Sequence, residues 1–99
     1  MKIPKRFKLF NTTVNIVWDD KYCNDKRLYG EYSYGESKIT ISTMQGYDKL
    51  AEDNIIDTYY HEKVHALLEM MHERELSDNE KFVDVFAKLL RQSDETSEY

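Results

Sequence analysis

Apolar and polar positions follow two rhythms along this chain, and the rhythm changes near residue 45. In Thr13-Val14-Asn15-Ile16-Val17-Trp18 the β-branched residues crowd together, and Val14, Ile16 and Trp18 alternate onto one side of an extended segment. Phe7-Lys8-Leu9-Phe10 reads as a separate short strand or as the start of a longer one, and the polar run from Asp19 to Lys26 as a turn. Leu28 to Tyr34 reads as a second strand, with Tyr29, Tyr32 and Tyr34 packing on the sheet. Gly35-Glu36-Ser37 is a hairpin turn into a third strand, Lys38-Ile39-Thr40-Ile41-Ser42.

From Tyr47 onward Gly and Pro are absent and a helical period takes over. Ile55, Ile56, Tyr59, Val64, Leu67, Leu68 and Met71 recur at steps of three and four, as one buried helix face requires. A second helix carries Phe82, Val83, Phe86, Leu89 and Leu90, and Ser77-Asp78-Asn79-Glu80 at its start fits the S-x-x-E capping box. Ser93 to Tyr99 is polar, carries three acids and reads as a frayed tail. The pattern predicts a single α+β domain over residues 1–99. It places a small, mainly antiparallel sheet in 1–45, a long helix region in 46–73, a second helix in 77–92 and an acidic tail in 93–99.

Composition narrows the function classes. Ninety-nine residues hold one core at most, and 40% hydrophobic residues suffice to build it. Fourteen Lys and Arg against nineteen Asp and Glu give a net charge of −5, which argues against the concentrated basic face of a general nucleic-acid binder. Cys23 is the only cysteine, so no internal disulfide forms and a reducing, cytoplasmic setting is the natural expectation. Lys2, Lys5, Arg6 and Lys8 are followed by no apolar stretch of the kind a signal peptide needs. No apolar run approaches the roughly 18 residues of a membrane span, so no membrane partner is expected.

His61-Glu62-Lys63-Val64-His65 is an H-E-x-x-H motif inside the long predicted helix. Residues i and i+4 lie one turn apart and only about 40° around the axis, so both imidazoles can converge on one tetrahedral metal ion. Glu62 is rotated off that face, where it can reach a metal-bound water as a general base. A catalytic zinc needs a third protein ligand, and the candidates are His72, Glu69, Cys23 and Glu80. On an unbroken helix His72 lies about 10 Å beyond His65, and Glu69 about 6 Å beyond it and about 12 Å beyond His61. Cys23 falls in a turn that nothing ties to the helix. Glu80 opens the second helix, with Asp84 one turn later on the same face.

With these residues the chain resembles the gluzincin zinc metallopeptidases, which join H-E-x-x-H to a downstream helix bearing E-x-x-x-D. Here that pair is His61-Glu62-Lys63-Val64-His65 and Glu80-Lys81-Phe82-Val83-Asp84. Asn79 precedes the glutamate as in thermolysin-like members, and Thr58, Ala66 and Leu67 fit the longer zincin pattern, while Lys63 stands where the family usually has an uncharged residue. By size and element order the chain looks most like the minigluzincins and the small zincin-like proteins carried by phages and mobile elements. The resemblance implies a minimal zincin-like fold with an active-site helix and a glutamate helix. It also implies zinc held by His61, His65 and Glu80, with Glu62 as the catalytic base. Asp84 would accept the remaining N–H of His61, in keeping with the usual habit of metal-bound imidazoles.

Ligation by Glu80 competes with its capping-box role after Ser77. It also sets a geometric condition. If the first helix ran on to Glu75, Glu80 would stand on the order of 8–12 Å above His65 along the axis. The helix must therefore end near Met71 to Glu73, and the chain must cross back. The implied function is a zinc metalloendopeptidase acting on a peptide or protein. In zincins the substrate lies along an edge strand, for which Ile39, Thr40 and Ile41 are the expected positions. Tyr47, Tyr60 and His72 are candidate oxyanion partners. Minigluzincins resemble latent enzymes whose C-terminal segment covers the cleft. Here that cover would be Ser93 to Tyr99, with Asp94, Glu95, Glu98 or the terminal carboxylate near the metal. The competing class is a catalytically weak or inactive zincin scaffold that binds a partner protein, and a metal-free module is the third.

Overall fold

A computed structural model describes residues 3–99. Lys2, part of the basic N-terminal stretch, lies outside them. The elements run β1 (Arg6–Leu9), β2 (Thr12–Trp18), α1 (Asp20–Asp25), β3 (Gly30–Ser33), β4 (Lys38–Ile41), β5 (Met44–Gln45), β6 (Asp48–Lys49), α2 (Glu52–Met70), α3 (Arg74–Asp78) and α4 (Glu80–Thr96). The four main strands form a mixed sheet in the order β1-β2-β4-β3, and β5-β6 is a separate small hairpin.

Period-two alternation builds one apolar face. Phe7 stands opposite Val14, Ile16 beside Ile39, and Tyr32 opposite Ile39, so these side chains share the face that meets Ile55 and Tyr59 of α2. After β2 the chain turns through α1 and runs past the neighbouring slot to form β3. It then returns by a hairpin to fill that slot with β4. The β2–β4 pair is therefore parallel, with Ile16 beside Ile39 and Trp18 beside Ile41. The other two pairings, β1–β2 and β3–β4, are antiparallel, so the sheet is mainly antiparallel as expected, and the central parallel pair makes it mixed.

This order also overturns the edge-strand expectation. Ile39, Thr40 and Ile41 sit in β4, which is paired on both sides, by β2 and by β3. Ile39 and Ile41 are fully buried. The free edge beside α2 belongs to β3. The Ser42 N–H donates to the Tyr29 carbonyl and Glu31 pairs with Thr40, so by the antiparallel alternation Gly30 and Tyr32 turn their backbone groups outward.

The polar run from Asp19 to Lys26 is a short helix rather than a turn. The Asp19 carboxylate caps it by accepting from the Tyr22 N–H, and Cys23 is buried inside it. Residues 44–49 form the β5–β6 hairpin, so the long helix begins later than the 46–73 region suggested.

Helix α2 is buried on two sides. Ile55 and Tyr59 meet the sheet, while Val64 and Leu68 pack against Val83 and Ala87 of α4. Met71, expected on the buried face, is exposed because α2 stops before it. Phe86 and Leu89 of α4 are likewise largely exposed. Among the described residues no helix is long and apolar enough to cross a membrane.

Candidate metal centre

The termination of α2 brings the site together. The Glu73 N–H bonds the Leu68 carbonyl and the His72 N–H bonds the Glu69 carbonyl, a paired helix ending with His72 in the left-handed region at φ 61°. The short helix α3 follows, and α4 then crosses back along α2. Asn79, not Ser77, caps α4: its side chain accepts from the Phe82 N–H. The expected capping box is therefore absent, and Glu80, as the first helical residue, is free to turn toward α2.

Glu80 meets both histidines. One carboxylate oxygen lies 3.2 Å from His61 Nε2 and the other 3.0 Å from His65 Nε2. Ligand atoms of His61, His65 and Glu80 all fall within 4.8 Å of one another. Four donors at roughly 2.0–2.1 Å around a tetrahedral zinc stand about 3.3–3.4 Å apart, so small side-chain movements suffice to admit an ion. Two imidazoles and a carboxylate form a three-ligand set that leaves a fourth position open.

Both rings present Nε2 to the centre and turn Nδ1 away from it. His61 Nδ1 lies 3.9 Å from an Asp84 oxygen, beyond hydrogen-bond range, and Asp84 is also bridged by Lys88 at 3.1 Å. His65 Nδ1 lies 2.8 Å from Ser77 Oγ, and Ser77 donates to Glu69 at 3.0 Å. Burial holds the His65 imidazole below its ordinary pKa, against the pull of Glu80, which favours the neutral ring that ligation requires.

Glu62 is 9% exposed. Burial pushes its carboxyl up to about 7, the neighbouring charges of Glu80, Glu31 and Glu69 add to that, and the Tyr32 backbone N–H works the other way. A cleft of about 250 Å³ opens beside it, lined by Tyr29, Gly30, Asp57, Thr58, His61, Glu62 and Asp84.

The remaining sequence candidates lie elsewhere. Cys23 is outside the cluster, and burial raises its thiol pKa. His72 lines a different hollow with Tyr34, Glu69 and Arg74. Tyr47 is fully exposed at the hairpin tip, and the Tyr60 hydroxyl donates to Asp94. Lys63 does not project freely into solvent but lies over the rings of Phe7 and Tyr59, at 5.2 and 5.6 Å from their centroids.

The tail does not cover the cleft. Helix α4 runs on to Thr96, which puts Asp94 and Glu95 about 21 Å or more along the axis from Glu80. There they bond Tyr60 and Arg91. The last three residues, including Glu98 and the terminal carboxylate, span at most about 10 Å and cannot return.

Ser77 and Gly30 were not legible as parts of the site, and Glu69 was weighed only as a third ligand. Glu69 offered a usable signal, because it lies one turn beyond His65 on the same face. A carboxylate there is too far to share the ion but well placed to hold what orients the histidine. Comparison with known proteins finds no matching family model, no matching curated protein and no matching solved structure.

Proposed function

We propose that this chain is a small zincin-like zinc metallopeptidase of the gluzincin type, hydrolysing peptide bonds with Glu62 as general base. The observation that carries the reading is the convergence of His61 Nε2 and His65 Nε2 on the two oxygens of Glu80, beside a buried carboxyl on the same helix. His61, His65 and Glu80 would hold the metal. Bound there, zinc supplies Lewis acidity and brings the pKa of a coordinated water toward neutrality.

Glu62 accepts the proton of the attacking water and passes it to the departing amine nitrogen. An extended peptide lies along the outer edge of β3, where Gly30 offers its backbone groups and Tyr32 its carbonyl, with Tyr29 and Asp57 as walls of the cleft. Asp84 adds a negative charge on the Nδ1 side of His61.

Two measurements test this. Freshly purified protein should hold close to one zinc per chain and lose it in His65→Ala. A peptide library should be cleaved by the wild type, and ~10²–10⁴-fold more slowly by Glu62→Gln, which should keep its metal. Undiminished cleavage by Glu62→Gln would overturn the mechanism. Bound zinc with no turnover on any peptide would make the chain a zincin scaffold that binds a partner without cutting it.

A further inference from the structure

We infer that Ser77 and Glu69 form a positioning relay that fixes the tautomer and the orientation of His65, so that Nε2 is the nitrogen offered to the metal; the inference rests on the metal-centre reading above. An imidazole with both nitrogens engaged can carry its proton on either one. The partner of the nitrogen away from the centre decides which. Here that partner is a single hydroxyl, Ser77 Oγ, 2.8 Å from Nδ1.

A hydroxyl alone is ambiguous, since it can donate or accept. Glu69 removes the ambiguity. Its carboxylate can only accept, and it lies 3.0 Å from Ser77 Oγ. The single hydroxyl proton therefore goes to Glu69, and Ser77 must accept from His65 Nδ1–H. Nε2 faces Glu80 Oε1 at 3.0 Å, a second acceptor that competes for the ring proton until an ion takes its place; relieved of that competitor, Nε2 keeps its lone pair for the centre. Arg74 stands 4.0 Å from the other Glu69 oxygen, at the end of the chain.

Placement supports the same assignment. Ser77 is 2% exposed, so water does not compete for its bonds. It lies in α3, three residues before the ligand Glu80, and Glu69 lies one turn past His65 in α2. One short segment thus delivers both the third ligand and the group that orients the second. The row Ser77–His65–Glu80 has the composition of a nucleophilic triad. Burial keeps the Ser77 hydroxyl from any substrate carbonyl, and its proton already belongs to Glu69.

The test uses the full chain with Ser77→Ala, Ser77→Cys and Glu69→Gln, each checked for a native thermal transition. Long-range ¹H–¹⁵N correlation spectra at mildly alkaline pH, taken metal-free in a Glu80→Ala background where no carboxylate competes at Nε2, read the His65 tautomer directly. Competition with a chromophoric chelator reads zinc affinity. With Ser77 and Glu69 intact, that background should show Nδ1–H alone. Ser77→Ala should show a mixed tautomer in that background and, with Glu80 in place, a zinc affinity lower by ~10–100-fold. Glu69→Gln, which keeps an accepting oxygen, should fall between.

A wild-type tautomer and undiminished zinc affinity in Ser77→Ala overturn the relay alone. A Glu69→Gln protein that falls between wild type and Ser77→Ala supports it, and so does a Ser77→Cys protein that recovers part of the affinity. A folded wild type that takes up no zinc overturns the metal-centre reading, and the positioning role with it. Covalent labelling of Ser77 by a serine-directed fluorophosphonate overturns the relay in favour of a nucleophile.

Discussion

At the scale of single residues, Gly30 shows how little space the site has. A Cβ added there would meet Thr58 Cγ2 at 2.5 Å and the Thr40 carbonyl oxygen at 3.0 Å, with Glu62 Cγ at 3.4 Å. The glycine is needed for close approach of β3 to α2, not for an unusual backbone angle. Gly30→Ala should destabilise the protein by about 1–3 kcal/mol, read as a lower urea midpoint. Thr58→Ser removes the methyl but keeps the hydroxyl that donates to the Asn54 carbonyl. In the double variant it should restore part of that loss, and the Thr40 carbonyl contact should keep the recovery incomplete. No recovery at all would show that the strain lies elsewhere. The residue scale also divides what the sequence reveals. His61, Glu62 and His65 were legible because their relation is local: one helical turn fixes it wherever the helix sits. Gly30 and Ser77 act across elements, and no local period encodes such a contact.

At the scale of elements, the site depends on where helices stop and how strands are ordered. The end of α2 was anticipated from the demand that Glu80 reach His65, and His72 in the left-handed region supplies it. The way α4 begins was misread, because Ser77 and Asn79 are both N-cap residue types: the Asn79 side chain takes the Phe82 N–H, while the Ser77 hydroxyl is engaged by His65 and Glu69. Strand order was not legible either. Ile39 to Ile41 follows β3 in sequence, but which strand becomes the edge depends on the crossover through α1. That crossover is held by Asp20, whose carboxylate accepts from the Thr43 N–H at 2.6 Å and from the hydroxyls of Thr43 and Ser42. The Thr43 backbone bond chiefly holds its pKa below 3.8, and the two hydroxyls add to this. A carboxylate depressed on folding contributes stability that is present above its unfolded pKa and lost as pH falls through its folded one. Stability should therefore decline as the solution is acidified below about 4, and Asp20→Asn should flatten that decline while lowering stability at neutral pH by about 1–3 kcal/mol. Urea titrations of both proteins at several pH values would check this, and parallel pH profiles would refute it.

At the scale of the whole molecule, α2 stands between two cores, the sheet on one side and α4 on the other. A helix so placed shows no single apolar face. That is why Glu62 can be buried in it, and why the expected seven-residue stripe is only partly realised. The distance between Glu80 and the two histidines then depends on how α4 is held along α2, and packing at Val64, Leu68, Val83 and Ala87 is anchored at its far end by Arg91. That guanidinium bonds Asp53 at 2.7 Å, Asp57 at 2.8 Å and Glu95 at 3.0 Å, and donates to the Asp53 carbonyl at 3.1 Å. It joins the first turns of α2 to the last turns of α4, and Asp57 also lines the cleft. The three carboxylates are 41–84% exposed, so solvent screening takes much of the Coulombic gain, while Arg91 itself is 15% exposed. Arg91→Met, which keeps the stem but removes the fork, should cost about 1–3 kcal/mol, and the difference from wild type should shrink at high salt. It should also weaken zinc binding without touching a ligand, because the helix bearing Glu80 loses its distal anchor. Wild-type zinc affinity in a destabilised Arg91→Met protein would show instead that the α3 segment alone sets the position of Glu80.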